Sequence, residues 1–496
     1  MGREDQIIKE RLRKVEELKK KGISSYPTNF DKKRDIEDCR KSRLKTKVKT
    51  AGRIMTQRDL GKIAFVKLQD FTGIIQLILQ KGETPDKEKE FFKKYIDVGD
   101  IIGIEGIIIK SKTGELSILV KKLELLTKSI KPLPEKWHGL QDKEDRYRKR
   151  YLDLTMNPEI KEVFEKRSKV ISAIREFLTK RGYIEVETPI LQPIYGGTSA
   201  RPFKSKLNAL DMTVYMRISN EMYLKRLIGG GYEKIFEFSR DFRNEGIDST
   251  HNPEFTLMET MCAYADYKQN MDLVEEMLEF VCKKVTGGTK IEYQGKKIDL
   301  KRPWKRISMV DSIKKYGKLD VEKMSDDELK KKLKELGIKP PVFKRGIAME
   351  ELFGFLVEPK LIQPTIVYDY PFETCGLAKP KKDNPKFAER FEPYINGWEL
   401  GNVYSELNDP KVLENYWKEQ EKMLSKDAEV QRLDKDFLNM LKIGMPPTSG
   451  VGIGIDRLIM LLTNQSSIRD VILFPFMKPE PFEKVPKPSS KKSSEK

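Results

Sequence analysis

The sequence predicts an α+β chain in which a small closed β-barrel precedes a larger antiparallel sheet flanked by helices. Three observations carry this expectation. Five short β runs crowd into residues 46–127. From about residue 142 onward, alternating strands are interleaved with helical stretches. A proline-bearing connector, KSIKPLPEKWHG at 128–139, separates the two regions.

With 496 residues the chain is long enough for two or more domains, each with its own core. Residues 1–45 form a basic extension, and within it residues 5–21 predict a helix that stops at Gly22. Ile7, Ile8, Leu12, Val15 and Leu18 share its apolar face. Its other face either touches nucleic acid or is simply solvated.

The barrel region, 46–135, contains KVKTAGRIM, KIAFVKLQDFTG, IIQLILQ, GDIIGIEGIIIK and ELSILVKKLELL. Five strands in so short a span predict a barrel of the OB type, which commonly binds single-stranded nucleic acid. The larger domain spans 136–477. It opens on helices over 142–182 and carries an insertion of helical character at about 305–360, clearest in DDELKKKLKELG. The tail, 478–496, is rich in Pro, Ser and Lys and reads as disordered.

Charge and composition narrow the classes. A net charge of +19 and a pI near 9.3 favour a polyanionic partner, although a lysine-heavy surface alone would give the same figures. The first fifty residues hold 17 Lys/Arg against 9 Asp/Glu, a local excess. Apolar runs such as IIGIEGIII (101–109) are too short and too interrupted to span a bilayer. The N-terminus lacks the apolar core of a signal peptide, so a cytoplasmic location and no membrane partner are expected. Cys39, Cys262, Cys282 and Cys375 are scattered without a CxxC pair, which argues against disulfides and zinc.

The chemistry concentrates in three elements. In KIFEFSRDFRNEGIDSTHNPEFTLMETMCA (234–263), Phe236, Phe238 and Phe242 share one parity while Glu237, Ser239, Asp241 and Arg243 share the other. A polar loop follows, and a second run places Phe255, Leu257, Glu259 and Met261 on one side. An antiparallel hairpin of this kind presents Arg243, Glu245, His251, Phe255 and Glu259 to one cavity. A guanidinium bridging two anions, an aromatic plate and several carboxylates suit a nucleotide and an ammonium-bearing ligand.

The second element is RFEPYINGWELGNVYSELNDP (390–410), where Asn396-Gly397 marks a hairpin turn. The turn brings Glu392 and Glu399 onto adjacent strands, where paired carboxylates hold Mg²⁺ against a triphosphate. Asn402, Tyr404 and Glu406 have the opposite parity to Glu399, so a bulge near Gly401 is expected if all four face one site. The third element, GVGIGIDRLIMLL (450–462), bares one strand face through Gly450, Gly452 and Gly454 and sets Arg457 at a helix start, to meet a phosphate. With two histidines and no nucleophile elbow, the chain reads as a site of positioning and electrostatics rather than covalent catalysis.

These elements resemble motifs 2 and 3 of the class II aminoacyl-tRNA synthetases, with the substrate hairpin between them. RGYIEVETPILQP (181–193) is similar to their motif 1. GGTSARPF, YLKRLIGGGYEKIFE, YSELNDP and the barrel pattern AGRIM…LQD…GDIIG.EG…TGELS resemble the lysyl members in particular. The resemblance covers about residues 5–477. It implies an N-terminal OB-fold anticodon-binding domain and a class II catalytic domain in a homodimer with Pro189 at its interface. The implied activity is ATP-dependent activation of L-lysine and its transfer to tRNA(Lys), with Mg²⁺ as cofactor.

By position, the resemblance implies Arg243 on the substrate carboxylate and α-phosphate, and Glu245, His251 and Phe255 on ATP. Arg457 would take the γ-phosphate, and Glu392 and Glu399 the Mg²⁺, with Glu399 also at the ATP. The Gly197 carbonyl and Glu221 would take the α-ammonium, and Glu259 and Glu406 the ε-ammonium, with Asn402 and Tyr404 completing the wall. Phe65, Gln76 and Glu115 would read the middle anticodon base. The chain departs from the family pattern at three places. Met261 stands where a tyrosine is usual, Cys375-Gly376-Leu377 replaces Ser/Cys-Pro-Leu, and Trp398 occupies a turn position expected to be small or charged. Two alternatives fit the same residues: a ligase for a lysine analogue or a protein side chain, and a non-catalytic tRNA-binding paralogue. The barrel weighs against the first, and the joint presence of Arg243, Arg457, Glu392 and Glu399 against the second.

Overall fold

A computed structural model describes residues 2–134, 140, 142–340, 342–423 and 434–479. The end of the connector (135–139) and the tail from residue 480 lie outside the described residues. The chain divides into two compact units, Met1–Gln141 and Asp142–Lys496.

The first unit opens with helix α1 (Arg3–Lys20), followed by α2 (Ile36–Lys41). Strands β1 (Lys47–Asp59), β2 (Ile63–Gln69) and β3 (Ile74–Gln80), helix α3 (Asp86–Tyr95), and strands β4 (Ile101–Lys110) and β5 (Leu116–Thr127) complete it. The strands close into a barrel in the order β1-β2-β3-β5-β4, the predicted five-stranded barrel. Alternation fills it: Ala64, Val66 and Leu68 of β2 and Ile75, Leu77 and Leu79 of β3 are all buried.

Helix α1 sits differently from the apolar stripe expected of it. Leu18 is buried, but Leu12 is exposed and Arg11 is buried in its place. The reason is polar. The Arg11 guanidinium donates to the carbonyls of Val98 (2.8 Å), Ser129 (2.9 Å) and Lys131 (3.1 Å), backbone acceptors from two separate segments.

The second unit is built on a nine-stranded sheet. Its elements in chain order are α4 (Glu159–Thr179), β6 (Ile184–Glu185), α5 (Glu221–Gly229), β7 (Lys234–Phe242), β8 (Glu254–Ala263) and α6 (Tyr267–Thr286). Then come β9 (Lys305–Ser308), β10 (Thr365–Pro371), β11 (Phe387–Ile395), β12 (Trp398–Glu399), β13 (Gly401–Ser405), β14 (Thr448–Gly454) and α7 (Ile455–Thr463). The order is β9-β10-β11-β13-β14-β8-β7-β6, with β12 paired to β11. The sheet is antiparallel through its middle but ends on a parallel pair at each edge, β9 with β10 and β6 with β7.

One face of this sheet carries the main core. Phe236, Met258, Val451 and Ile453 pack with Val170 and Phe177 of α4, Val274 and Leu278 of α6, and Ile459 of α7. The region 305–360 is not wholly an insertion. Lys305–Ser308 is an edge strand of the sheet, and the helices Asp326–Glu335 and Arg345–Leu356 follow it around a separate cluster centred on Leu329, Leu352 and Phe353. No helix among the described residues is long and apolar enough to cross a membrane.

Candidate active site

The sheet face opposite the core carries the polar residues. In β7 the charged parity does not face solvent: Glu237, Ser239 and Asp241 are all buried. Arg217 compensates this, its guanidinium 2.7 Å from Glu237 Oε1 and 3.3 Å from Asp241 Oδ1, while Asn220 donates to Glu237 at 3.0 Å. Burial nevertheless pushes the Asp241 carboxyl up to about 6, against the pull of Arg217 and Arg243. Register then aligns the site. Glu237 faces Glu259 across β7 and β8, and Glu259 faces Gly452 across β8 and β14, which in turn faces Asn402 on β13.

A cavity of about 430 Å³ lies over these strands. It is bordered by Arg243, Glu245, His251 and Phe255 from the β7–β8 hairpin, and by Glu392, Glu399, Asn402, Tyr404 and Glu406 from the second hairpin. Gly197, Glu221, Glu259, Met261 and Arg457 also border it, as do Gly450, Gly452 and Gly454 of the bare strand face. The parity conflict in the second hairpin is relieved as the spacing predicts. Tyr394 pairs with Glu399, yet Arg390 pairs with Tyr404, a one-residue slip around Leu400-Gly401. Gly401 permits it, since a Cβ there would lie 2.1 Å from the Gly452 carbonyl oxygen.

At the hairpin end of the cavity, the Arg243 guanidinium stands 4.9 Å from the centre of the Phe255 ring. The connecting loop is tied by Asp248, which accepts from the Thr250 and His251 amides and sits 2.8 Å from His251 Nδ1. Despite the cost of burial, these contacts hold the Asp248 carboxyl down at about 2. His251 Nε2 in turn lies 3.2 Å from Arg457 Nη2, and Arg457 Nη1 donates to the Glu399 carbonyl at 2.7 Å. Asp456, the acidic neighbour of Arg457, accepts from Arg167 (2.5 Å) and from the Thr256 amide (2.7 Å), locking α7 to α4 and β8.

Glu392 accepts hydrogen bonds from Tyr370 (2.7 Å) and Tyr394 (2.6 Å) and pairs with Arg390. Burial and the nearby Glu392 push Glu399 up to about 7, with Arg457 opposing. Among the described residues, no group of three or more Asp, Glu, His or Cys is arranged to hold a metal alone. Two carboxylates, one straining against its own ionisation, fit a Mg²⁺ whose remaining ligands are phosphates and water.

At the far end three glutamates converge. Glu259 accepts from Ser219 at 3.2 Å through Oε1, but its Oε2 has no partner. Burial, with Glu221 and Asp241 adding to it, raises its pKa well above the ordinary carboxylate range. Glu221 and Glu406 share Lys225, whose Nζ lies 2.5 Å from an oxygen of each. Burial drives Glu406 up to about 8; Lys225 resists this and Glu221 adds to it. Lys225 was not foreseen among the site residues. Its i,i+4 spacing from Glu221 was visible, but such pairs are ordinarily solvated, and only packing buries this one.

The three departures acquire local reasons. Met261 is buried among Met222, Leu407 and Trp417. Gly376 leaves room for Tyr416, since a Cβ there would fall 2.1 Å from its ring. Trp398 is no turn residue: it begins β12 and meets Tyr293 edge-on at 5.2 Å against the main core. Asn396 and Gly397, both at positive φ, make the turn instead.

In the barrel, Gln76 is opposite Lys67 on β2 and donates to Ser117 Oγ at 2.9 Å, while Glu115 pairs with Lys67. Phe65 stands two residues along β2, half-buried. Pro189 is exposed, near the exposed apolar residues Ile184, Ile190 and Leu191.

Residues 142–478 match the family of class II tRNA synthetases (D, K and N), and residues 48–126 match the OB-fold nucleic acid binding domain. A lysine–tRNA ligase of Pelotomaculum thermopropionicum is 48% identical over 489 residues, covering 96% of each chain. One of Thermoanaerobacter pseudethanolicus is 50% identical over 488 residues, covering 96% of this chain and 97% of its own. Lysine–tRNA ligase 2 of Methanosarcina mazei is 48% identical over 480 residues, covering 95% and 94%.

Proposed function

The chain belongs to the class II tRNA synthetases of the D, K and N group, and from that premise we infer that it charges tRNA with lysine. It activates L-lysine with ATP to lysyl-adenylate and diphosphate, and then transfers the lysyl group to tRNA(Lys). The observation that carries the choice of lysine is the convergence of Glu221, Glu259 and Glu406 at one end of a cavity whose other end holds the Arg243–Phe255 pair.

In the first step the lysine carboxylate attacks the α-phosphorus of ATP, and the bond to the diphosphate breaks. Arg243 bridges the two anions and holds them in line, which is the main service a phosphoryl-transfer site supplies. Phe255 stacks on the adenine, Glu245 and His251 hold the nucleotide, and Arg457 meets the γ-phosphate. Glu392 and Glu399 would hold Mg²⁺, which would supply neutralisation of the triphosphate charge. In the second step a terminal ribose hydroxyl of the tRNA attacks the lysyl carbonyl and AMP departs.

Glu221 and the Gly197 carbonyl receive the α-ammonium, and Glu259 and Glu406 the ε-ammonium. Asn402, Tyr404 and Met261 form the walls. A neutral amino acid would leave buried carboxylates unpaired, which costs several kcal/mol per ion. Arginine is excluded by length and shape. Phe65, Gln76 and Glu115 read the anticodon from the barrel. The enzyme works as a cytoplasmic homodimer in which Pro189 and its exposed apolar neighbours meet a second copy.

Pyrophosphate exchange measured with each amino acid in turn tests this reading. Lysine alone is expected to support exchange. Exchange with an analogue but not with lysine, or none with any amino acid, overturns it.

A further inference from the structure

Lys225 is buried against Glu221 and Glu406 at the lysine end of the site, and the roles above leave it unused. It lies beneath the cavity floor on α5, almost wholly buried, with its Nζ 2.5 Å from Glu221 Oε1 and 2.5 Å from Glu406 Oε2. It also stands 5.4 Å from the centre of the Tyr404 ring. We propose that Lys225 is a specificity-determining positioning residue that sets the charge of the pocket, so that the three glutamates accept a ligand with two ammonium groups. This rests on the reading of the cavity as a lysine site.

The argument is one of charge and free acceptors. With all three carboxylates ionised, as in the lysine-bound site, one resident ammonium leaves two negative charges, which the α- and ε-ammonium groups of lysine neutralise. Buried charge without a partner is strongly unfavourable, so a ligand with a single ammonium leaves one carboxylate uncompensated. The resident ammonium also selects which oxygens remain for the ligand. It binds Glu221 by a hydrogen bond and pairs with Glu406 through Oε2 alone, which leaves Glu406 Oε1 without a side-chain partner. Glu259 Oε2 is likewise unpartnered. The unused acceptors thus belong to Glu259 and Glu406, the pair assigned to the ε-ammonium, while Glu221 is shared.

The charged and titratable groups around Lys225 come from each adjoining element. Glu221 shares its helix, Tyr404 and Glu406 lie on and just beyond β13, and Glu259 lies on β8. Behind Glu259, Glu237 and Asp241 of β7 are held by Arg217. Burial alone would depress the Lys225 ammonium, but Glu221 and Glu406 outweigh it, so it remains charged. Without it, the glutamates would bind protons more tightly, and lysine would have to displace those protons to enter.

The test is lysine-dependent pyrophosphate exchange by the full chain between about pH 7 and 9. For Lys225→Met, the lysine KM is expected to rise about tenfold or more at neutral pH while kcat falls far less. The fall of KM with rising pH should be displaced to higher pH. The charge-balanced double variant Lys225→Met/Glu406→Gln should return that displacement toward the unaltered enzyme, whatever its absolute KM. Lys225→Gln, which deletes the charge but keeps a donor for Glu221, carries the same expectation as Lys225→Met. A KM within twofold of the unaltered enzyme would overturn the proposal. So would equal losses in KM and kcat with no displacement in pH, a displacement that the double variant leaves in place, or recovery of both single variants only as unfolded protein. Exchange by the unaltered enzyme checks the lysine reading separately, because its failure requires no variant.

Discussion

Gly450 faces Met261 across β8 and β14, so that a side chain at Gly450 would have to displace the ends of Met261 and Glu406. A Cβ on Gly450 would lie 2.5 Å from Glu406 Oε1 and 2.7 Å from Met261 Sδ. The expected outcome of Gly450→Ala is a folded-state loss of about 1–3 kcal/mol from overpacking. Two positions along, a Cβ on Gly452 would find nothing nearer than 3.6 Å, so Gly452→Ala should change stability by about 0.5 kcal/mol or less. Urea denaturation of the two variants without ligand measures the contrast, and equal losses would refute the packing account.

Arg243 approaches Phe255 at 4.9 Å and borders the same cavity as Glu399 and Arg457. Its charge is the element that holds carboxylate and α-phosphate together. Arg243→Ala should therefore lower lysine-dependent pyrophosphate exchange by about a hundredfold or more. Near-normal exchange in that variant would refute the bridging role.

Asp456 borders the cavity but is engaged by Arg167 and the Thr256 amide. Removing it takes the carboxylate from a largely buried guanidinium, which keeps only the neutral acceptors Val471 and Thr256, and leaves the buried Thr256 amide without its acceptor. Asp456→Ala is expected to cost about 3 kcal/mol or more of stability, read from chemical denaturation. A variant of unchanged stability that has lost ATP binding would make Asp456 a ligand residue instead.

Gln76 lies in the barrel unit, bonded to Ser117. Gln76→Ala should impair tRNA charging while leaving pyrophosphate exchange intact. Parallel loss of both activities would count against a barrel devoted to anticodon reading.

Stability should depend on pH through the pocket carboxyls. Burial raises Glu406 to about 8, and Glu259 and Asp241 shift in the same direction. A carboxyl with a raised folded-state pKa binds protons more tightly when folded, so its contribution is present at low pH and is lost as pH rises through the folded value. The ligand-free protein should therefore lose thermal stability between about pH 5 and 8, and the stabilisation by added lysine should grow over the same window. Melting curves with and without lysine check this; a lysine increment independent of pH would contradict it.

Much of the architecture was legible along the chain. The strand alternation at 47–127 predicted the barrel, Asn396-Gly397 predicted its hairpin, and opposed parities at Glu399 and Asn402 predicted the bulge at Leu400-Gly401. These features are local: period, turn chemistry and spacing act between near neighbours. Legibility failed where long-range contacts decide. The apolar stripe of the first helix predicts Leu12 inside, yet Leu12 is exposed and three distant carbonyls draw Arg11 in. Lys305–Ser308 read as part of a helical insertion, yet Thr365–Pro371 claims it as an edge strand. Trp398 looked out of place in a turn until Tyr293, about a hundred residues earlier, came to meet it.

Which residue types meet in the site is written along the chain, because the motifs holding Arg243, Phe255, Glu259, Glu392, Glu399 and Arg457 are short and locally folded. How their charges balance is set by long-range packing. Arg217 under the first hairpin, Asp456 between two helices and Lys225 beneath three glutamates each act through partners far along the chain. The physical reason is burial. A charged residue reads the same in sequence whether water or a carboxylate answers it, and the interaction gains its strength only where folding removes the water.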